Sequence, residues 1–130
     1  MKNLLFILLV VFPLLYSCRD GYGNSVKKGK LTVYFDKKSK LKTAEKFCLF
    51  WHDAGFIGKE KQNIRLLFAK NTIKVQLIAS DPTLKKESLS FEEIKNFIRL
   101  QEMLDSAVFH PKHCIIEICD GDFNPLFIAE

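Results

Sequence analysis

The residues best able to do chemistry in this chain are its four cysteines and three histidines. Their spacing decides which chemistry is open to them. His52-Asp53, His110-x-x-His113 and Cys114-x4-Cys119 offer ligands for a metal ion. A structural zinc site needs four donors converging at ~2.0–2.3 Å, and neither the histidine nor the cysteine spacing follows a zinc pattern. Cys114 and Cys119 are also an odd number of positions apart, so on a regular strand they face opposite sides. No metal site is expected. A nucleophilic thiol needs a lowered pKa and a neighbouring base, and no Cys-x-x-Cys occurs. His113 and Cys119 are the best pair for a thiol- or metal-dependent activity. Cys48 and Cys114 fall on expected apolar faces, where cysteine behaves as a small hydrophobe. They are the candidates for a structural disulfide, with Cys119 expected free and exposed at a strand end. The acidic turn Asp120-Gly121-Asp122-Phe123-Asn124 lacks the twelve-position spacing of a helix-flanked calcium loop and reads as a plain turn. No glycine-rich phosphate loop, serine elbow or paired-carboxylate motif is present. The residues therefore point to no catalytic set and no cofactor.

The elements that carry these residues follow from hydrophobic period. Leu31-Thr32-Val33-Tyr34-Phe35 alternates as a short strand. Ala44, Phe47, Cys48 and Trp51 recur at helical spacing, which predicts a helix over 43–54 with Thr43 as N-cap and Gly55 as terminator. Strands over 63–69 and 72–79 meet at Lys70-Asn71. Ser90-Phe91-Glu92-Glu93 is a capping box. It opens a second helix, with Ile94, Phe97, Ile98, Leu104 and Val108 as its buried stripe, finished before Pro111. Residues 113–119 form a strand, and 121–130 a turn with a short extended tail. The order β-α-β-β-α-β predicts an α+β, ferredoxin-like fold: an antiparallel sheet with two helices on one face.

The uncovered face of such a sheet carries Tyr34, Arg65, Leu67, Lys74, Gln76, Ile78, His113, Ile115, Glu117 and Cys119. Leu67, Ile78 and Ile115 are costly to expose together, so this face is a candidate contact surface for a partner or a second copy. Scattered apolar residues on a sheet surface are the plainer alternative.

Charge is unevenly spread. The formal net charge is +5, with lysines crowded over residues 26–46 and acids over 112–130. The lysines are not interleaved with stacking aromatics, which argues against nucleic acid. Near anionic headgroups each lysine would contribute ~1 kcal/mol; a solvated lysine-rich linker is the alternative. Gly21, Gly23 and Gly29 make residues 18–30 read as a flexible tether, leaving 31–130 as a single domain.

The first residues supply an address. Lys2 precedes an apolar run over 4–15, and Leu15-Tyr16-Ser17-Cys18 follows. This resembles a bacterial lipoprotein signal with its lipobox. The resemblance implies a signal peptide over 1–17, cleavage before Cys18, and a lipid attached to Cys18 that holds the protein on the inner or the outer membrane by acyl chains. The run is short for a spanning helix, and an ordinary secretory signal is the alternative. Lipidation would leave Cys48, Cys114 and Cys119, an odd count, in a compartment where disulfides persist.

The segment Ala54-Gly55-Phe56-Ile57-Gly58-Lys59-Glu60-Lys61-Gln62, running into a strand, and the ending Cys119-Asp120-Gly121-Asp122-Phe123 resemble those of small bacterial domains of unknown function. That likeness spans roughly residues 31–127 and implies a fold, not an activity. The functional expectation is a membrane-anchored, non-enzymatic module that binds another envelope protein or itself. A protein that protects its host against a secreted toxin is one form of it. The alternative is an envelope activity centred on Cys119 and His113.

Overall fold

The computed structural model describes residues 22–130. Cys18 and the expected signal lie outside the described residues. Six strands and two helices follow in the order β1 (Asn24–Lys28), β2 (Leu31–Phe35), α1 (Leu41–Asp53), β3 (Gln62–Phe68), β4 (Thr72–Ile78), α2 (Phe91–Leu104), β5 (His113–Cys119) and β6 (Pro125–Ile128). Among the described residues no helix is long and apolar enough to cross a membrane.

Alternation in the central strands builds one apolar face. Val33 stands opposite Ile64, Leu66 opposite Val75, and Val75 opposite Ile116, so the apolar positions line up across the sheet. Both helices cover that face. α1 contributes Ala44, Phe47, Cys48 and Trp51; α2 and the turn after it contribute Leu104, Val108 and Phe109 to the same buried cluster. Each fully buried large side chain stabilises by ~1.5–3 kcal/mol. The expected α+β class, with two helices on one face, holds.

The strand order does not match a ferredoxin-like sheet. The six strands lie in chain order, β1-β2-β3-β4-β5-β6. β2 runs parallel to β3 and β4 parallel to β5, while the other three pairs are antiparallel. Each helix thus returns the chain to the position beside the strand it left, giving two adjacent parallel crossovers. In the expected arrangement each crossover would skip a strand. Both topologies have the same element order, so periodicity alone does not separate them.

Four local expectations also change. Residues 24–28 of the expected tether form β1, and part of the extended tail forms β6. Both are short edge strands, and lysines on β1 and Pro125 opening β6 discourage further pairing. Helix α1 starts at Leu41 after a 3-10 turn at Lys38–Lys40, and its N-cap is Lys40 rather than Thr43. Ile98 is exposed instead of buried. The capping box is present: Ser90 Oγ accepts the Glu93 N–H at 3.1 Å. After α2 a π-helical turn over Asp105–Phe109 re-aims the chain and places Val108 and Phe109 in the core.

Trp51 stacks on Phe47 at 5.3 Å, meets Phe56 edge-on at 4.9 Å and donates its indole N–H to Gln62 Oε1 at 3.2 Å. Trp51→Ala should lower unfolding free energy by ~3–5 kcal/mol, measured by urea denaturation. A near-neutral effect would contradict the packing of α1 on the sheet.

Candidate functional site

The side of the sheet without helices is organised by one transverse row. Ser25, Tyr34, Arg65, Gln76, Glu117 and Ile128 stand opposite one another in turn across all six strands. In its middle the Arg65 Nε–H donates to Gln76 Oε1 at 2.5 Å, and Gln76 Nε2 donates to Glu117 Oε1 at 2.7 Å. The Lys74 ammonium lies 3.4 Å from Glu117 Oε2. The Gln76 amide is therefore polarised between a cation and an anion, which strengthens both hydrogen bonds.

This row is not the open surface expected from the alternation. Gln76 is 2% and Glu117 5% exposed, and Tyr34 and Cys119 are also buried. The Tyr34 and Cys119 part of the face is covered from the start of the described chain and from the turn between β5 and β6. Tyr22 and Phe123 fold over the face and meet at 5.0 Å; Tyr22 also meets Tyr34 at 5.2 Å. The Arg65 guanidinium lies 5.0 Å from the Phe123 ring and 5.7 Å from that of Tyr22.

Two backbone features deliver these rings. Gly23 has φ +87°, and a Cβ there would lie 3.1 Å from the Phe35 carbonyl oxygen. Phe123 itself has φ +62°, a left-handed conformation costing a non-glycine residue roughly 1–2 kcal/mol. Burial of its ring offsets that cost. Asp120 shapes the turn: Oδ1 accepts the Asp122 and Asn124 N–H groups, each at 2.9 Å, and Oδ2 accepts from Asn124 Nδ2 at 3.1 Å. The backbone hydrogen bond from Asn124 leads in holding the Asp120 carboxyl below the usual range. The acidic stretch is thus a turn whose first carboxylate is engaged by the turn itself.

Of the expected contact residues, Leu67, Lys74 and Ile115 remain half-buried at the far half of the face, where they also stand in one row. Ile78 packs with Tyr34, Cys119 and Phe123.

The thiol and metal candidates are dispersed. Cys119 is fully buried, with Sγ 3.9 Å from Glu117 Oε1. Burial first, and the Glu117 charge second, push its thiol up to about 12, so it is neutral and unreactive at physiological pH. The expectation of an exposed Cys119 is thereby corrected. Its neighbours are the aromatic cap and a carboxylate, not solvent. His113 lies at the opposite end of β5, roughly 20 Å away along the strand. Its Nδ1 sits 3.2 Å from Asp105 Oδ2, while Asp105 Oδ1 accepts the Cys114 N–H at 2.7 Å.

Cys48 and Cys114, the candidates for a disulfide, are both buried free thiols. Burial raises both, with Asp105 adding to the effect at Cys114 and the Lys28 charge opposing it at Cys48. The strand order accounts for their separation. Cys48 feels Lys28 of β1, Cys114 belongs to β5, and strands are spaced ~4.8 Å apart. A disulfide needs Cα atoms within ~7 Å. His52 pairs with adjacent Asp53 on the surface at 3.3 Å. Among the described residues no group of three or more His, Cys, Asp or Glu side chains is placed to hold a metal.

Tyr22 and Phe123 lie outside the strands, so alternation does not assign them to this face. Glycines on both sides of Tyr22, and the phenylalanine closing an Asp-Gly-Asp turn, were the available signals. Native protein at pH 8 should resist iodoacetamide at Cys48, Cys114 and Cys119, and denatured protein should label fully, read by intact mass. Rapid labelling of Cys119 in the native state would contradict its burial and its raised pKa.

No family model, curated protein or solved structure matches this chain.

Proposed function

We propose that the chain is a bacterial envelope lipoprotein, anchored through Cys18, that acts without catalysis by binding another envelope protein or a second copy of itself. The observation carrying this reading is the row Leu67, Lys74 and Ile115 on the helix-free side. Two aliphatic side chains flank a lysine whose charge is partnered by Glu117, and exposed His113 lies beside them. Apolar side chains mixed with a charge that is already partnered are the composition recognition surfaces carry. The rest of that face is sealed by Tyr22 and Phe123, which makes the contact strip narrower than the alternation suggests. Protection of the host against a secreted toxin is one form such binding takes. The lipobox-like Leu15-Tyr16-Ser17-Cys18 supports the anchor and the envelope address.

Cross-linking in the native cells, followed by capture and mass spectrometry, tests both parts. One stoichiometric envelope partner, or a cross-linked dimer, is expected with the wild type and should be lost with Leu67→Asp/Ile115→Asp at unchanged thermal stability. Cys119→Ser should keep the partner, and Cys18→Ser should release the protein from membranes washed in high salt. Capture of the monomer alone, or a partner indifferent to the double substitution, would contradict the contact strip. Membrane retention of the Cys18 variant would contradict the anchor.

A further inference from the structure

The end of the sheet where β2 and β3 finish and β4 and β5 begin holds a second concentration of charge. Lys37 and Lys40 follow β2, and Lys112 precedes β5. Lys40 and Lys112, with Thr43 and His110, rim a hollow of about 160 Å³ whose floor includes Phe68 and Val108. Among the described residues no carboxylate lies within ion-pair distance of Lys37, Lys40 or Lys112. The acids nearby are engaged elsewhere: Asp36 Oδ1 accepts the Phe68 N–H at 3.1 Å, and Asp105 is held by His113 and Cys114. The Lys40 and Lys112 side chains both line this hollow. Lys40 chiefly, with desolvation and then Lys37 adding, holds the Lys112 ammonium below the usual lysine range. Like charges gathered around one hollow repel, and a multiply charged anion placed among them converts that repulsion into attraction.

We propose that this hollow binds a phosphate group, free or carried on a lipid, with Lys40 and Lys112 as counter-charges and the Thr43 hydroxyl as a hydrogen-bond donor. Lysine binds phosphate as a point charge, so several converging ammonium groups are the natural cradle. The apolar floor would favour a phosphate attached to an aliphatic group. This site lies apart from the contact strip and does not depend on it.

Thermal unfolding of the full chain in inorganic phosphate, against sodium chloride at matched ionic strength, is the test. Phosphate should raise the unfolding temperature saturably, by about 3 °C or more. Lys40→Gln/Lys112→Gln should unfold at a higher temperature than wild type in chloride, because the repulsion is relieved, and should lose the phosphate response. Lys59→Gln, on the α1–β3 loop, should keep it. Dihexanoyl phosphatidic acid below its micellar concentration separates the sources. Half-saturation at least ~10-fold below that of phosphate assigns the site to a lipid headgroup, and equal values assign it to free phosphate. Equal unfolding temperatures in phosphate and chloride, or a response surviving the double substitution, would overturn the proposal. So would stabilisation by a polyglutamate peptide without any by phosphate, which would instead indicate an acidic protein segment.

Discussion

A carboxylate near the centre of a sheet, on the side without helices, imposes a demand that the surrounding structure meets. Glu117 is almost fully removed from water, and an unpaired charge in such a place costs several kcal/mol. Gln76 and Lys74 satisfy it. Gln76 can do so with its amide nitrogen because its oxygen is occupied by Arg65. Arg65 in turn is a large cation over a sheet surface, and the rings of Tyr22 and Phe123 lie against it. The chain before β1 and the turn between β5 and β6 are thereby drawn onto one face, with left-handed backbone at Gly23 and Phe123 as the local consequence. The sheet is closed on one side by two helices and on half of the other by two aromatic residues held around a charge relay.

Much of the core side was legible because it rests on one-dimensional signals. Alternation in β2 to β5, the helical spacing of Ala44, Phe47, Cys48 and Trp51, and the Ser90 to Glu93 capping box all correspond to observed elements. What was not legible depends on relations between distant segments. Whether a crossover returns beside its strand or skips one is decided by how the two helices pack, so the chain-ordered sheet carried no sequence signature. Asn24–Lys28 holds Val26 as its one large apolar side chain and glycines on either side, so its pairing with β2 was hidden. Ile98 fits the helical stripe, yet it stays exposed while the π-helical turn supplies Val108 and Phe109 to the core.

The face residues show the same division. Alternation placed Arg65, Gln76 and Glu117 correctly on the side opposite the helices, but it could not state that they would be covered. Tyr22 and Phe123, which lie outside the strands that supply the relay, pack against Arg65 and with Tyr34 and Cys119. Cys119 changes character for this reason. At a strand end beside an acidic turn it reads as an accessible thiol, and under the aromatic cap it is a buried one beside a carboxylate. The half-buried row Leu67, Lys74 and Ile115 lies beyond the cap, and the lysine hollow lies at the same end of the sheet.

The relay is tested most directly by a double-mutant cycle on Arg65→Met and Glu117→Gln, with unfolding free energies measured in urea. These residues stand two strands apart, ~9–10 Å between backbones, with the Gln76 amide bonded to both side chains, and the same cycle in a Gln76→Leu background separates coupling through that amide from charge attraction through space. A coupling energy of about 1 kcal/mol or more is expected. Additive single substitutions would contradict the relay as the organiser of this face.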